Sequence, residues 1–408
     1  MPLPCLGGDD VFPDSRHGAR TPLTDAYWEG ATWDKGTDCG EAFEALKISV
    51  KDLNGGPRPP ATHDAAQARS VLPGGCTKGE LTVPGQLQSR DLGKWLRQRY
   101  VKELAYLSPQ YQDGEVEARS TNYRRTIATL QGLLTGLWPG TQAAVPLRVS
   151  GDADEVMFGR TDSCERLRDL VKQQAQALKD SAKTDAGVQQ LEARAKAAMQ
   201  LPKDHRVQFT DLHDSMTSMR FHGKQIPKGM SEELLQDINR EATRRMTALV
   251  APQASEAHGP AVLRLSMGPL FEEIVQRMGS VARGRNAAPL YVYAGHDTTI
   301  MPILATLGIK LSDWPPYLSN VIFELWERAD ASGDKPGYYV RCIYNYEDLS
   351  LAHHSNGEPV LLEEFRDLYL KPYILSNAQF KEECKVTFDH TSPAPGGESV
   401  GGSAVQGL

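Results

Sequence analysis

Two arginines bracket a histidine near the amino terminus, in the stretch Arg16-His17-Gly18-Ala19-Arg20-Thr21-Pro22. A neutral imidazole is a nucleophile, and a guanidinium presents its N–H groups in a planar fork that matches two oxygens of a phosphate. Gly18 lets the backbone turn tightly, and Pro22 stiffens the exit from the turn. These residue types at this spacing indicate phosphoryl transfer onto His17. The alternative is a solvated, charged turn without chemistry.

A second histidine follows an apolar run late in the chain. Residues 290–294 are continuous and apolar, which is typical of a strand buried on both faces of a parallel sheet, and Gly295-His296-Asp297-Thr298-Thr299 comes directly after them. Ligands of open α/β sheets bind at the carboxyl ends of strands, so His296 and Asp297 lie where catalytic groups are expected. Capping of the helix predicted at 300–307 is an alternative role for Asp297 that is compatible with catalysis.

Two other histidine-containing segments are weaker candidates. The pair His213-Asp214 lies in a polar, Met-rich stretch and not behind an apolar strand, so we expect it to belong to cap structure near the pocket. The pair His353-His354 lies in a polar loop before Gly357. We expect a solvated turn there, without a metal role, because no cysteine or acidic residue stands at the spacing of a zinc site.

The composition limits the classes of protein that these motifs can serve. The chain has 408 residues, 40% of them hydrophobic and 24% charged, as in an ordinary globular protein of up to two or three compact units. A formal net charge of -7 argues against a nucleic-acid surface as the main partner, although a local basic pocket is compatible with it.

The cysteines and the apolar runs add further limits. Six cysteines are too sparse for a disulfide scaffold, although individual disulfides are compatible with an even number. No two cysteines form a Cys-x-x-Cys pair, so structural zinc is not expected. No apolar run is long enough to span a bilayer. Residues 1–10 lack the basic and apolar regions of a secretory signal. Either the protein is not exported, or this chain is not the whole precursor.

The segment before the first motif is unusual for a catalytic strand. Only Val11 and Phe12 are apolar there, and Pro13-Asp14-Ser15 separates them from Arg16. Proline cannot donate a hydrogen bond within a central ladder. We therefore expect either a very short first strand or an altered amino terminus.

The remaining elements read as a mixture of helices and strands. Residues 24–77 predict mostly loops, and a helix of strong 3.6-residue period at 267–278 is expected to end at Gly279. Other helices are predicted at 92–100, 127–134, within 164–199 and at 231–250, and strands at 116–118, 145–149, 321–325 and 340–344.

The three motifs, of which the middle one is Arg119-Ser120-Thr121-Asn122 with Arg125-Thr126, resemble those of the histidine acid phosphatases, in the family's order and over roughly residues 10–384. The resemblance implies that His17 becomes a phosphohistidine and that Asp297 donates a proton to the departing alkoxide and then assists water. An acid optimum would follow, because Asp297 must be protonated while His17 keeps a lone pair. The phosphoryl oxygens would be held by Arg16, Arg20, Arg119 and His296. Arg125 is expected to brace the Arg119 turn.

The same resemblance implies an α/β fold, with a doubly wound, mainly parallel sheet, flanking helices and a smaller, mostly helical cap. We expect one domain over residues 1–390. Its core would comprise about 9–30, 80–155 and 255–385, its cap about 31–79 and 156–254, and a disordered tail would follow at 391–408. No metal or other cofactor is implied, because guanidiniums supply the positive charge that magnesium supplies in kinases.

The expected partner is a small-molecule phosphomonoester, with no nucleic acid and no membrane-spanning segment. Gly55-Gly56-Pro57 and Trp314-Pro315-Pro316 are most similar to the branch of the family that acts on lysophosphatidic acid. An apolar groove for such a lipid could come from Trp28, Trp33 and Phe43. That branch suggests a mitochondrial location, with the cytoplasm as the alternative.

Two departures from the family pattern stand out. Pro13-Asp14-Ser15 replaces strand residues, which leaves open how His17 is seated, and Asn122 replaces an Asp of many members. The alternatives are a sugar- or inositol-phosphate phosphatase of the same family and an inactive phosphate-binding protein. The oligomeric state is not predicted.

Overall fold

A computed structural model describes residues 8–28, 31–285, 288–328, 337–351, 354 and 357–385. The predicted tail at 391–408 and His353 lie outside these residues. Within them, nine strands form one sheet in the order β2-β4-β3-β5-β1-β6-β7-β8, and β9 pairs with β7. The strands are β1 (Gly8–Arg16), β2 (Ile48–Asp52), β3 (Val116–Ser120), β4 (Val145–Val149), β5 (Leu290–Gly295), β6 (Asn320–Arg328), β7 (Gly337–Tyr344), β8 (Glu347–Asp348) and β9 (Val360–Leu361).

The sheet has a parallel half and an antiparallel half that meet at β1. Strands β2, β4, β3, β5 and β1 pair in parallel, whereas β6, β7, β8 and β9 pair antiparallel. The predicted mixed α/β fold is therefore confirmed, with the antiparallel pair at the end of the chain as expected.

The expectation of a very short first strand is wrong. Strand β1 is nine residues long and lies between β5 and β6, with Pro13 opposite Ile322 of β6 and Arg16 opposite Gly295 of β5. The apolar content of β1 is low. The length of the strand is set by its pairing with two neighbouring strands and not by its own side chains. The strand ends where the first motif begins.

Eleven α-helices occur among the described residues, together with π-helical turns at Arg97–Glu103 and Phe365–Leu370 and a 3₁₀ turn at Asp152–Asp154. The helices are α1 (Thr62–Ala68), α2 (Val83–Leu96), α3 (Arg124–Leu137), α4 (Glu165–Thr184), α5 (Ala186–Met199), α6 (Phe209–Phe221), α7 (Glu232–Val250), α8 (Gly259–Val281), α9 (Asp297–Thr306), α10 (Leu362–Glu364) and α11 (Asn377–Glu383). The helix expected to end at Gly279 runs on to Val281.

Strand β5 is buried on both faces, as its apolar run predicted. Tyr291 and Tyr293 pack in an apolar cluster with α8 and α9, whereas Leu290, Val292 and Ala294 pack in a second cluster with α2 and α3. This alternation follows from the two-residue period of a strand. At β5 the sheet is thus covered by helices on both faces.

The range 156–254 that was predicted as cap is helical, whereas the range 31–79 contains the short helix α1 and strand β2. Helices α4 to α7 lie in the first range, and α6 and α7 share an apolar cluster that includes Phe209, Leu212 and Ile238. In the second range, expected to be mostly loops of the cap, β2 pairs in parallel with β4 and forms an edge of the sheet. Strand β2 has only five residues, none of which is buried, so its sequence is too short to show the pattern of a strand.

Among the residues that the structure describes, two disulfides, Cys39–Cys76 and Cys164–Cys384, cross-link segments that are 37 and 220 residues apart in sequence, and Cys342 is buried as a free thiol. None of the helices in the described ranges has the length and apolar character needed to cross a bilayer.

Two of the three aromatic residues proposed for a lipid groove, Trp33 and Phe43, have packing roles, and Trp28 is half-buried against the same apolar cluster as Trp33. Trp33 is buried in an apolar cluster with both residues of the Cys39–Cys76 disulfide, and the ring of Phe43 lies under the guanidinium of Arg90.

Candidate active site

The first and last motifs meet at the carboxyl ends of β1 and β5, which are adjacent parallel strands. The His17 amide donates a hydrogen bond to the carbonyl of Gly295 at 3.1 Å, and the ring centroids of His17 and His296 lie 5.6 Å apart. Both imidazoles are buried, His17 with 1% of its surface exposed. The strand pairing, and not sequence proximity, brings the two histidines together.

Gly18 is required by a close approach to α2. A Cβ atom at this position would lie 2.4 Å from the carbonyl oxygen of Gly85, which is shorter than any real contact. The amide of Gly18 also donates to the hydroxyl of Thr129 on α3 at 3.1 Å. The loop after His17 is therefore clamped between two helices, and the glycine serves packing in addition to the predicted turn.

The His17 imidazole is neutral and presents its Nε2 atom. Burial, followed by the charges of Arg125 and Arg20, lowers its pKa well below 6.5. Its Nδ1 atom lies 2.9 Å from the carbonyl oxygen of Gly18. Because a carbonyl only accepts, Nδ1 carries the proton and Nε2 keeps the lone pair. A lone pair on a buried imidazole beside guanidiniums suits nucleophilic attack on phosphorus.

Arg16 and Asp297 form a buried pair beside His17. Nη2 of Arg16 lies 3.1 Å from Oδ2 of Asp297, and Nη1 donates to the carbonyl of Pro315. The indole of Trp314 donates to the same Oδ2 at 2.9 Å. Asp297 is the first residue of α9, and His296, rather than Asp297, is the N-cap. The residue at the N-cap of α9 is therefore His296, and not Asp297 as predicted.

The charges around Asp297 keep its carboxyl ionised. Burial alone would raise its pKa, but Arg16 and Arg20 outweigh burial and lower the pKa to about 2. A carboxylate in this state accepts protons and cannot donate one. Proton donation by Asp297 therefore requires a change in the surrounding charge.

Arg20 is held by the cap. Its Nη2 atom lies 2.8 Å from Oδ1 of Asp214 on α6, and the amide of Leu23 donates to the other oxygen of that carboxylate at 2.8 Å. His213 stacks on Trp314 with ring centroids 4.9 Å apart. The pair His213-Asp214 thus lies beside the site, as the sequence predicted, and connects the cap to it.

Arg125 joins this cluster from the first turn of α3. Its Nη2 atom lies 3.4 Å from Nδ1 of His296, and its guanidinium lies over the ring of Tyr123 at 4.5 Å. Arginine only donates, so Nδ1 of His296 accepts, and Nε2 donates to the hydroxyl of Thr121 at 3.0 Å. Arg125 therefore contacts the second imidazole directly and does not brace Arg119.

Arg119 lies elsewhere. Its Nη1 atom binds Glu273 of α8 at 2.7 Å, and its Nη2 atom lies 3.6 Å from Glu155. Side chains alternate along a strand, so Arg119 and its β3 neighbour Ser120 point to opposite faces of the sheet. Of the two arginines in the segment predicted to hold phosphate, Arg125 lies at the histidine pair and Arg119 does not.

The active-site cluster contains hydrogen-bond donors that have no partner. Within the described part of the chain, the buried Nε atoms of Arg16, Arg20 and Arg125 have no hydrogen-bond partner. Three guanidiniums face two carboxylates, Asp297 and Asp214, and both histidines have a pKa well below 6.5 because of burial and the neighbouring arginines. The excess positive charge and the unsatisfied donors favour an anion.

One group of potential metal ligands occurs among the described residues, and it lies outside this cluster. It consists of Cys39, Cys76 and Glu80. The two sulfurs are joined in a disulfide, so they offer no thiolates to a metal ion.

Comparisons with known sequences agree with the motifs. The model of the histidine phosphatase superfamily, branch 2, matches residues 15–345. Lysophosphatidic acid phosphatase type 6 of Pongo abelii is 29% identical over 337 residues, which are 81% of this chain and 75% of that protein. The testicular acid phosphatase of Mus musculus is 25% identical over 256 residues, which are 60% of this chain and 59% of that protein.

Solved structures share the fold at low sequence identity. The phytase of Citrobacter braakii superimposes with a TM-score of 0.61 at 16% identity, over 93% of this chain and 100% of that one. The multiple inositol polyphosphate phosphatase of Bifidobacterium longum gives a TM-score of 0.63 at 11% identity, over 93% of this chain and 95% of that one. With the motifs and the match over most of the chain, the chain belongs to the histidine phosphatase superfamily, branch 2, and is a phosphoric monoester hydrolase.

Proposed function

We propose that His17 attacks the phosphorus of a phosphomonoester and becomes a phosphohistidine, and that the substrate is lysophosphatidic acid or a related phosphomonoester. The observation that carries this mechanism is the neutral His17 imidazole, whose Nε2 lone pair lies among three buried guanidiniums. The name of the lysophosphatidic acid phosphatases, which are similar over most of the chain, supports the substrate.

In this proposal Arg16, Arg20 and Arg125 hold the phosphoryl oxygens. Their unpartnered Nε atoms are available donors, and the charge that spreads over the oxygens in a loose transition state would be stabilised by all three guanidiniums. His296 adds a fourth polar group beside Arg125. Arg125 takes the place that the sequence assigned to Arg119.

The proposed reaction has two steps. In the first, Nε2 of His17 forms a bond to phosphorus while the bond from phosphorus to the ester oxygen breaks, and Asp297 gives its proton to the departing alkoxide. In the second, Asp297 takes a proton from water, whose oxygen attacks phosphorus and releases phosphate from His17. Each step leaves Asp297 in the state that the next one needs.

Substrate binding would allow Asp297 to take up from solvent the proton that it lacks in the empty site. A phosphomonoester dianion offsets the charges of Arg16 and Arg20, the groups that hold the pKa of Asp297 near 2. The pKa of Asp297 then rises, and its carboxyl can hold a proton in the complex. Acid catalysis is thereby coupled to occupancy of the phosphoryl site.

The test combines turnover with trapping of the intermediate. Hydrolysis of lysophosphatidic acid and of p-nitrophenyl phosphate is measured between pH 4 and 8 in chelator, and protein mixed with ³²P-labelled substrate is quenched in alkali. We expect turnover and labelled protein for the wild type and neither for His17→Ala. Loss of a nucleophile typically costs about 10⁶-fold in kcat.

His354→Ala is the matched control. This histidine lies 3.5 Å from Glu364 and 3.2 Å from the hydroxyl of Tyr369, in a loop after β8. The control should turn over substrate and become labelled like the wild type. Turnover without label, or label that persists in His17→Ala, would exclude a phosphohistidine on His17. Activity on p-nitrophenyl phosphate but not on the lipid would reject only the proposed substrate.

A further inference from the structure

Arg160 is a buried guanidinium without a carboxylate partner. It is 9% exposed, its Nη1 atom donates to the carbonyl of Ala153 at 3.1 Å, and its plane lies over the ring of Phe380 at 3.8 Å. Across the ranges that the structure describes, Nη2 has no hydrogen-bond partner and the side chain makes no ion pair. A buried charge of this kind is costly to the fold unless it serves a ligand.

The position of Arg160 relates it to the active site. A cavity beside the histidine pair is lined by Arg125 and His296 and also by Arg160. It encloses about 70 Å³, which is several times the ~10–15 Å³ that one water molecule needs. This space suits one compact polar group. A further guanidinium therefore shares a small cavity with Arg125 and His296, two groups of the proposed phosphoryl site.

Two carboxylates, Asp152 and Asp162, also line this cavity, and both lie beside His63. Nε2 of His63 lies 3.7 Å from Asp152 and 3.5 Å from Asp162. Glu155 accepts hydrogen bonds from the hydroxyl of Ser150 and from the amides of Val156 and Met157. Burial lowers the pKa of Arg160 even though Asp154 and Glu155 oppose that shift, so these carboxylates do not compensate it fully.

The backbone holds Arg160 in place. The amide of Cys164 donates to the carbonyl of Arg160 at 2.9 Å, and Cys164 is joined by a disulfide to Cys384, directly after α11. Phe380, which lies under the guanidinium, is part of the same helix. The side chain is thus positioned before any ligand binds, which lowers the entropic cost of binding.

We propose that Arg160 forms a second anion-binding subsite beside the phosphoryl site and selects phosphomonoesters that carry a second phosphate or carboxylate. The proposal rests on the proposed function and narrows it. The proposed function allows either lysophosphatidic acid or a related phosphomonoester as the substrate. The subsite favours those related compounds that have two anionic groups. A guanidinium binds an anion more strongly than it binds an ester carbonyl.

The test compares substrates that differ in the second group. We measure kcat/KM for 3-phosphoglycerate and fructose 1,6-bisphosphate against glycerol 3-phosphate, for the wild type and for Arg160→Met. The wild type should favour the two doubly anionic compounds by about tenfold or more, and Arg160→Met should remove that preference. Loss for 3-phosphoglycerate alone identifies a carboxylate as the second group, and loss for the bisphosphate alone identifies a phosphate.

Two further variants serve as controls for Arg160→Met. Arg168→Met removes an exposed arginine on α4 and should leave the preference as in the wild type. Arg160→Lys keeps the charge without the planar fork and should retain part of the preference, which decides the question if Arg160→Met does not fold. An equal preference in the wild type and in the Arg160 variants, or no preference in the wild type, would overturn the proposal.

A binding measurement separates this proposal from the proposed function. In the His17→Ala protein, which cannot form a phosphohistidine, the Kd values of 3-phosphoglycerate and glycerol 3-phosphate are compared by calorimetry with and without Arg160→Met. Tighter binding of 3-phosphoglycerate that depends on Arg160 supports the subsite even if the wild type hydrolyses nothing. Equal Kd values for the two compounds would reject the subsite even if hydrolysis is efficient.

Discussion

Two groups of arginines in this protein differ in the carboxylates that surround them. The active-site arginines, Arg16, Arg20 and Arg125, share two carboxylates, Asp297 and Asp214. In the second group, Arg119 and Arg277 both bind Glu273; Arg277 also binds Glu117, and Arg119 lies near Glu155. The second group, which we call the Glu273 network, has more carboxylates than guanidiniums.

The contrast shows in the pKa values of one arginine from each group. Burial and the charge of Arg20 lower the pKa of Arg125 to about 10. For Arg119, the charges of Glu155 and Glu273 outweigh burial and raise the pKa. A buried arginine that repels its neighbours is placed for a ligand, whereas one that is paired with carboxylates supports the fold. Membership of the same sequence motif does not distinguish the two.

Among the variants that leave the nucleophile His17 in place, the largest effect is expected from Asp297→Asn, which removes the carboxylate that pairs with Arg16. For an alkyl phosphomonoester, kcat should fall by about 10³-fold, because the alkoxide then leaves without a proton. For p-nitrophenyl phosphate the loss should be much smaller, since p-nitrophenolate leaves without protonation. Steady-state kinetics with both substrates check this. Equal losses would assign Asp297 a role other than proton donation.

The comparison between the two groups is tested most directly by Arg125→Met. We expect kcat/KM to fall by about 10²-fold, as when one donor to a developing charge is removed. The melting temperature should not fall, because Arg125 has no carboxylate partner in the described part of the chain and is repelled by Arg20. Kinetics and thermal unfolding are measured together. A stable variant with full activity would show that Arg125 does not bind the phosphoryl group.

The pH profile of kcat tests the coupling between substrate and Asp297. The pKa of this carboxyl is about 2 in the empty site, and a bound dianion should raise it into the assay range. Since the protonated form is needed, kcat should fall about tenfold per pH unit above the raised pKa. Saturating substrate between pH 4 and 8 reveals this limb. If the limb persists in Asp297→Asn, it belongs to another group.

The smallest effect on activity is expected from Arg119→Met, which breaks the Glu273 network. Here kcat/KM should stay unchanged, while the free energy of unfolding should fall by about 3 kcal/mol, as when one partner of a buried ion pair is removed. Denaturant unfolding at neutral pH measures the loss, and Arg125→Met is the reverse control. A large fall in kcat/KM without a loss of stability would return Arg119 to the list of phosphate ligands.

The same variant has a pH dependence with a defined sign. Burial would raise the pKa of Glu273, but Arg119 and Arg277 outweigh it and lower the pKa below the ordinary 4.5. A lowered pKa stabilises the fold above about pH 4.5 and loses this contribution as the pH falls through the folded value. The difference in stability between the wild type and Arg119→Met should therefore shrink in acid. A constant difference would mean that Glu273 does not mediate it.

Much of the site was predictable because its residues follow strands. Arg16, His17, His296 and Asp297 lie at the ends of β1 and β5, and carboxyl ends of parallel strands meet at one edge of a sheet. Arg125 was predicted only to brace the Arg119 turn, although it lies in the first turn of the helix that follows β3, which is a position that the same rule covers. Its distance of six residues from Arg119 concealed that the two side chains serve different clusters.

Some errors came from segments whose structure depends on partners. Strand β1 contains Pro13 and few apolar residues, yet it is central because β5 and β6 pair with it on both sides. Strand β2 is likewise defined by its ladder with β4. Short strands carry too little pattern of their own, so their presence depends on neighbours that are distant in sequence.

The sequence by itself determined the chemistry of this protein. An imidazole between arginines and an imidazole beside a carboxylate, each placed after a strand, define phosphoryl transfer through their residue types. Only the tertiary structure decided which charges stay unpaired. Arg119 is neutralised by Glu273, which is 154 residues away in the chain, whereas Arg125 and Arg160 meet no carboxylate among the described residues. Charge pairing is a short-range contact made by packing, so it cannot be deduced from the order of residues.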